Sequence, residues 1–330
     1  MGVELMDFQT LALRRDGPVL HVTLNRPELR NAMSIAMVRE LRLVLAQQET
    51  SGGTRVIVLR GAGGHFCAGA DARDLATAHA QLADKPSAVA DMNAAFGELC
   101  VAYADTGLAV VAVLEGTVMG GGFGLACVAD VALAGTSVSF RLPETSMGVV
   151  PAQIAPFLVE RLGFAGAKRL AVTGARLNAQ AALDLRLVHE VHAASALDRA
   201  VAAVLSDILQ CAPGAVAATK ALMRQARLHS PASLVQAAAE VFSRAALGPR
   251  PLELGHDAEA VEEAAPPAQV VPEVLGGADR AREVDRAADA GHQAASSARM
   301  AATPAATASR RGDSSPSRRA RSAMPASVRR

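Results

Sequence analysis

Twice in this chain a β-branched, apolar run enters a turn made almost wholly of glycine and alanine, and a helical pattern follows. RVIVLR (55–60) runs into GAGGHFCAGAD (61–71), and LAVVAVL (108–114) runs into GTVMGGGFGLACVAD (116–130). Such runs read as buried strands. The turns leave little side-chain bulk to keep another molecule from the main chain. Each following helix presents N-terminal amides that lack a partner within the helix.

Two such turns admit two readings. As phosphate cradles they fit poorly, because the first lacks the lysine of a nucleoside-triphosphate loop and GGGFG does not supply GxGxxG with an acid at the ribose distance. As a pair of N–H donors to one carbonyl oxygen they fit better. A thioester deprotonated at its α-carbon, or attacked at the conjugate position, gathers negative charge on that oxygen, and fixed amides lower the barrier by ~3 kcal/mol for one donor.

The rest of the pattern places these turns in an α/β fold with a helical C-terminal part. VLHVTL (19–24) predicts a strand stopped by Asn25–Pro27, and a helix capped by Ser34 runs to Gln48 with Met37, Leu41, Val44 and Leu45 at helical spacing. A helix is expected over Ala90–Asp105, and short strands over Val131–Leu133 and Ser137–Phe140. Helices then follow over Ala152–Leu162, Ala165–Thr173, Ala179–Asp184, Leu197–Cys211, Gly214–Gln225 and Ser233–Ala246. From Pro249 to Arg330 the chain is rich in Ala, Arg, Ser and Pro and has no Phe, Tyr, Trp or Lys, a composition expected to stay disordered. Domains are therefore expected at 1–190, 191–248 and 249–330.

A formal net charge of +1 offers no field to draw nucleic acid or an anionic membrane, so a small, locally recognised ligand is expected. The Arg-rich end lacks interleaved aromatic residues and reads as a solvated appendage. Met1–Thr10 carries Glu4 and Asp7 and no basic region before an apolar run, and no stretch reaches ~18–20 uninterrupted apolar residues. Neither a signal segment nor a spanning helix is expected, and a cytoplasmic location follows. Cys67, Cys100, Cys127 and Cys211 lack metal-ligand spacing and read as buried thiols, so no metal site is expected. His65 reads as a loop residue, and Asp71 as a turn or capping residue rather than a catalytic acid.

Five segments in order, TLNRPELRNAMS (23–34), FCAGAD (66–71), EGTVMGGGFGLACVAD (115–130), FRLPETSMGVVPAQIAPFLVERLG (140–163) and VTGARLNAQAALDLRLVHEV (172–191), resemble the enoyl-CoA hydratase/isomerase (crotonase) superfamily over roughly Leu11–Leu247. The resemblance implies a crotonase-like spiral of ββα units with a helical trimerisation region, and homotrimers or dimers of trimers. It implies an acyl-CoA thioester substrate whose CoA is part of the substrate, with no separate cofactor. By position it makes the amides of Ala70 and Gly121 the oxyanion hole and Glu144 the catalytic acid. Arg30, Ala32 and Ala68 match positions that line CoA, with Gly69, Asp71 and Gly120 beside them.

Family hydratases carry a second glutamate three residues after the oxyanion glycine; here that position is Gly124. One carboxylate can still take a proton from water and return one to the α-carbon, or shuttle a proton between two carbons. Hydratase and isomerase therefore both stand, beside a non-catalytic CoA- or RNA-binding reading. LPETSMGV, PAQIAPFLVERLG and LVHEV resemble the branch of isohexenylglutaconyl-CoA and methylglutaconyl-CoA hydratases in particular. Their substrates bear a second carboxylate, and loss of the first glutamate is expected to relieve repulsion with it. From about Pro249 the chain departs from the family pattern, as a shifted reading frame would make it do.

Overall fold

The first strands form a hairpin: β1 (Leu11–Asp16) turns back at Gly17 and pairs antiparallel with β2 (Val19–Leu24). A computed structural model describes residues 7–247. Helix α1 (Ile35–Ser51) starts where the Ser34 hydroxyl accepts from the Met37 amide at 3.2 Å, and it stops at Gly52 in the left-handed region with φ 68°. Then come β3 (Val56–Gly61), α2 (Ala72–Ala80) and α3 (Ala88–Asp105). Next are β4 (Ala109–Leu114), β5 (Thr117–Met119) and α4 (Gly121–Val128), followed by β6 (Val131–Gly135), β7 (Ser139–Arg141) and a single 3₁₀ turn, Glu144–Met147. The chain continues through α5 (Ala155–Thr173), β8 (Arg176–Asn178), α6 (Ala179–Asp184), β9 (Glu190–His192), α7 (Ala194–Gln210), α8 (Pro213–Ala226) and α9 (Pro231–Ala246).

The strands make a six-stranded sheet in the order β1-β2-β3-β4-β6-β9, parallel from β2 onward, and a three-stranded sheet in the order β5-β7-β8. Their connectivity is a spiral. β4 belongs to the large sheet, β5 to the small one, and α4 closes the turn; β6, β7 and α5 repeat the pattern. One turn earlier, β3 lies in the large sheet and Cys67 bridges in parallel to Val118 of β5, before α2 and α3 close that turn. Successive turns thus lay corresponding glycine-rich loops side by side.

Alternation along each strand explains why the continuous apolar runs are needed. In β4, Val110, Ala112 and Leu114 enter the main core with Leu41, Leu59, Leu99 and Phe123, while Ala109, Val111 and Val113 face the other side with Leu197 and Val201 of α7. Buried Tyr103 ties α3 to α1 through its hydroxyl, which donates to the Leu41 carbonyl at 3.2 Å.

The elements with strong periodicity fall where the sequence predicts them. The two helices expected over 152–173 meet at Gly163, whose φ of 70° and ψ of 161° interrupt α5. The three-residue strands β5, β8 and β9 and the edge strand β1 carry too little pattern to be seen in advance. Cys67, Cys100 and Cys127 are buried, but Cys211 is exposed, where it follows the last turn of α7. Among the described residues no single helix is long and apolar enough to cross a membrane, and no cluster of His, Cys, Asp or Glu could hold a metal ion. The readings of residues 249–330 lie outside the described residues.

Candidate active site

Two ladders hold the first glycine-rich loop in place. On one side it pairs with 30–33: the Ala68 amide donates to the Arg30 carbonyl (3.0 Å), the Met33 amide to Gly69 (2.7 Å) and the Asp71 amide to Met33 (3.0 Å). On the other it pairs with the second loop: the amide of Phe66 donates to Glu115 (2.9 Å), that of Cys67 to Thr117 (3.0 Å), and that of Met119 to Cys67 (2.9 Å). His65 joins the same seam, its Nδ1 accepting from the Thr117 amide at 3.1 Å.

Strand alternation then fixes where the Ala70 amide points. Its neighbours Gly69 and Asp71 turn their carbonyl and amide to Met33, so the Ala70 N–H is directed away from that ladder. It faces the second loop. A Cβ placed on Gly120 would lie 3.9 Å from the Ala70 nitrogen, 3.3 Å from Gly69 Cα and 3.2 Å from Glu144 Oε1. Gly120 has φ 47° and ψ −116°, a conformation that a side chain would strain, and a Cβ there would press on Glu144. Gly121 follows as the first residue of α4, where an amide has no acceptor within the helix. Gly69, with φ 100°, passes 3.5 Å from the Met119 carbonyl at its would-be Cβ.

Glu144 opens the 3₁₀ turn after β7 and is half-buried. Its Oε2 is buried with no hydrogen-bond partner, and Oε1 borders Gly120. Burial pushes the carboxyl above its ordinary range, an effect that a hydrogen bond from its own main-chain amide partly offsets. Geometry therefore gathers Gly69, Ala70, Gly120, Gly121 and Glu144: two loops bearing amides and one carboxyl that readily holds a proton.

The 26–33 segment is built with care around residues that the sequence reading did not single out. Arg30 and Asn31 both have positive φ, 48° and 56°. Asparagine tolerates that region, and the wholly buried Asn31 side chain reinforces it, accepting from the Arg26 amide (2.8 Å) and donating to the carbonyls of Ala62 (2.9 Å) and His65 (2.6 Å). Arg26 donates to the Ala32 carbonyl at 2.7 Å and pairs with Asp71 at 2.7 Å. Asp71 also caps α2, its Oδ1 accepting from the Arg73 amide at 2.9 Å. The Asp71 carboxylate is thus committed to Arg26 and to α2, which leaves it a scaffold residue. The exposed Arg30 side chain, with Ala32 and Ala68, lines the outer edge of the same ladder.

Gly124 lies one helical turn beyond Gly120 and is buried. A Cβ there would meet Phe96 Cζ at 3.0 Å and Ile154 Cγ1 at 3.3 Å. Neither Phe96 nor Ile154 carries a sequence signal of its own; only the missing acid at Gly124 hints that something else fills the space.

Comparisons with known proteins meet this geometry. A family model described as enoyl-CoA hydratase/isomerase matches residues 14–246. A solved structure of Pseudomonas aeruginosa AtuE is 48% identical with a TM-score of 0.70, covering 73% of this chain and 92% of that one. An enoyl-CoA hydratase/isomerase from Marinobacter aquaeolei is 45% identical with a TM-score of 0.70, covering 73% of this chain and 92% of its own. The carnitinyl-CoA dehydratase of Proteus mirabilis strain HI4320 is 34% identical over 218 residues, which are 66% of this chain and 80% of that protein.

Proposed function

Since the chain belongs to the enoyl-CoA hydratase/isomerase family, we propose that it adds water across the double bond of a 2-enoyl-CoA, with a 3-branched glutaconyl-CoA of the isohexenylglutaconyl type as the substrate class. The observation that carries this reading is the meeting of Glu144 with the Gly120 and Ala70 main chain: Glu144 Oε1 lies 3.2 Å, and the Ala70 nitrogen 3.9 Å, from one point beside Gly120. In the proposed reaction the thioester oxygen lies between the amides of Ala70 and Gly121. Ionised Glu144 takes a proton from water as the water oxygen bonds to C3, and the electron pair of the double bond moves onto the thioester oxygen as an enolate. Glu144 then returns the proton to C2, and the net change is one water added. The CoA portion runs along Arg30, Ala32 and Ala68, and the reaction asks for no cofactor beyond it.

The absence of a second acid at Gly124 also favours a second reading, in which the same carboxyl moves a proton between C4 and C2 of a 3-enoyl-CoA. Incubating the protein with linear and 3-branched 2-enoyl-CoA esters in ¹⁸O water separates the two. Hydration gives 3-hydroxyacyl-CoA carrying one label; double-bond migration without label would overturn hydration.

Assembly as a trimer is part of the proposal. No residue of α8 or α9 is buried in a single copy, and Met223, Leu228, Val235 and Phe242 are exposed. Val235 and Phe242 are seven residues apart on one face of α9, an apolar stripe suited to another copy. Sedimentation velocity is expected to give a mass that is a multiple of three chains, and Phe242→Glu to shift it toward one. A monomeric wild type would sink this part.

A further inference from the structure

We propose that Phe96, backed by Ile154, is the specificity-determining wall of the acyl site and selects a branch at C3 of the substrate. The inference rests on the reading above for what lies at Gly121, but its own evidence is the packing of the ring. Phe96 projects from α3 and is half-buried. The tip of its ring lies across the first turn of α4: a Cβ on Gly121 would be 3.2 Å from Cε2 and 3.4 Å from Cζ, and a Cβ on Gly124 would be 3.0 Å from Cζ and 3.4 Å from Cε1. Ile154 Cγ1 closes the same side at 3.3 Å from the Gly124 position. The ring therefore sits beside the residue whose amide is offered to the thioester oxygen, within the few ångströms that separate that oxygen from C2 and C3.

Segment 151–154 is fastened to α3 so that this wall keeps its place. The Gln153 amide group donates to Asn93 Oδ1 at 2.9 Å, and Gln153 Oε1 tucks over Gly97, where a Cβ would come within 2.1 Å of it. Asn93, Phe96 and Gly97 are spaced three and four residues apart and so share one face of α3. The fastening and the ring belong to the same contact.

The wall acts at C3 through burial. An apolar wall gives an alkyl branch a surface to leave water against, whereas a linear chain leaves part of the ring uncovered. Recognition at C3 is in this way a matter of apolar contact, and activation of the attacking water stays with Glu144.

Binding of saturated CoA esters tests this without turnover. Isothermal titration of the full-length protein with isovaleryl-CoA and butyryl-CoA, which differ by one branch methyl group at C3, is expected to give about tenfold tighter binding of the branched ester. Phe96→Ala should bring the ratio to near one, and Phe96→Leu should keep part of it. A second variant displaces the ring without removing it: Gly124→Ala, whose methyl group presses on Phe96, should lower the preference, and Phe96→Leu/Gly124→Ala should return it to the Phe96→Leu level. Equal ratios in wild type and Phe96→Ala overturn the assignment, and so does failure to bind either ester, which also overturns the acyl-CoA reading of the site. Discrimination without hydration in the labelled-water experiment would leave the wall standing and remove only the reaction.

Discussion

Glu144→Gln is expected to lower kcat by roughly 10²–10⁴-fold while changing KM for the enoyl-CoA only slightly. Glutamine keeps the size of the side chain beside Gly120 but can neither take nor return a proton, and the amides of Ala70 and Gly121, proposed to bind the thioester, are untouched. The pH profile should carry the same signature. Burial raises the Glu144 carboxyl above its ordinary 4.5, so the acid limb of kcat/KM is expected above that pH in wild type. The stability sign runs opposite to the activity. Because the folded pKa exceeds the unfolded one, the contribution of this group is fully present below about 4.5 and is lost as pH rises through the folded value. Ionised Glu144 is then a buried charge whose Oε2 has no partner. Glu144→Gln should therefore raise Tm at pH 7, and the gain should vanish at acid pH. A variant with wild-type kcat would remove Glu144 from the chemistry.

Breaking the Arg26–Asp71 pair is expected to cost about 3–5 kcal/mol of stability, because the remaining partner is left charged and buried. The side chains are only 16% and 7% exposed at 2.7 Å separation, so solvent screens little of this. Asp71→Asn is the sharper test: it can still cap α2 at the Arg73 amide but strands Arg26, whereas Arg26→Met strands Asp71. The double variant should be more stable than the sum of the two losses predicts, since no unpaired charge remains. Activity should fall as well, through kcat more than KM, because Asp71 adjoins the Ala70 amide proposed to hold the oxyanion. Burial alone would push the Asp71 carboxyl up, but hydrogen bonds from Arg26 and from the Arg73 amide, with the charges of both arginines, hold it below its ordinary 3.8. The stability it supplies is present above pH 3.8 and lost as pH falls through the lower folded value, so wild type and Asp71→Asn should converge at strongly acid pH. Additive losses in urea titrations would show that the pair does not act as one unit.

Legibility of the fold followed pattern length. β2, β3, β4 and α1 carry enough alternation or helical spacing to be placed from residues alone, and Ser34 marks its helix start by chemistry. β5 and β8 of the small sheet are three residues long, and they exist because neighbouring turns of the spiral supply their partners, which no local window contains; β7, equally short, overlaps the strand expected over Ser137–Phe140. The site divides in the same way. Glycine and alanine at 68–70 and 120–121 announce exposed main chain, and Glu144 is reached through the family resemblance. Arg26 and Asn31 act across 31 to 45 positions of sequence and Phe96 reaches Gly121 and Gly124 of the second loop, and an arginine, an asparagine or a phenylalanine has no local signature for such a partner. Asp71, read from the sequence as a turn or capping residue, does cap α2 at the Arg73 amide and in addition pairs with Arg26.

The Cys67–Val118 bridge gives the two loops a common ruler. Neighbouring strands keep a spacing of about 4.8 Å whatever their side chains, so the gap between the two donor loops is inherited from sheet geometry rather than tuned by each loop. Sequence outside the paired residues can therefore drift, lengthen or take up new contacts with an acyl chain while that gap holds its width. A lineage built on this plan can change what it accepts without having to reinvent how it reacts.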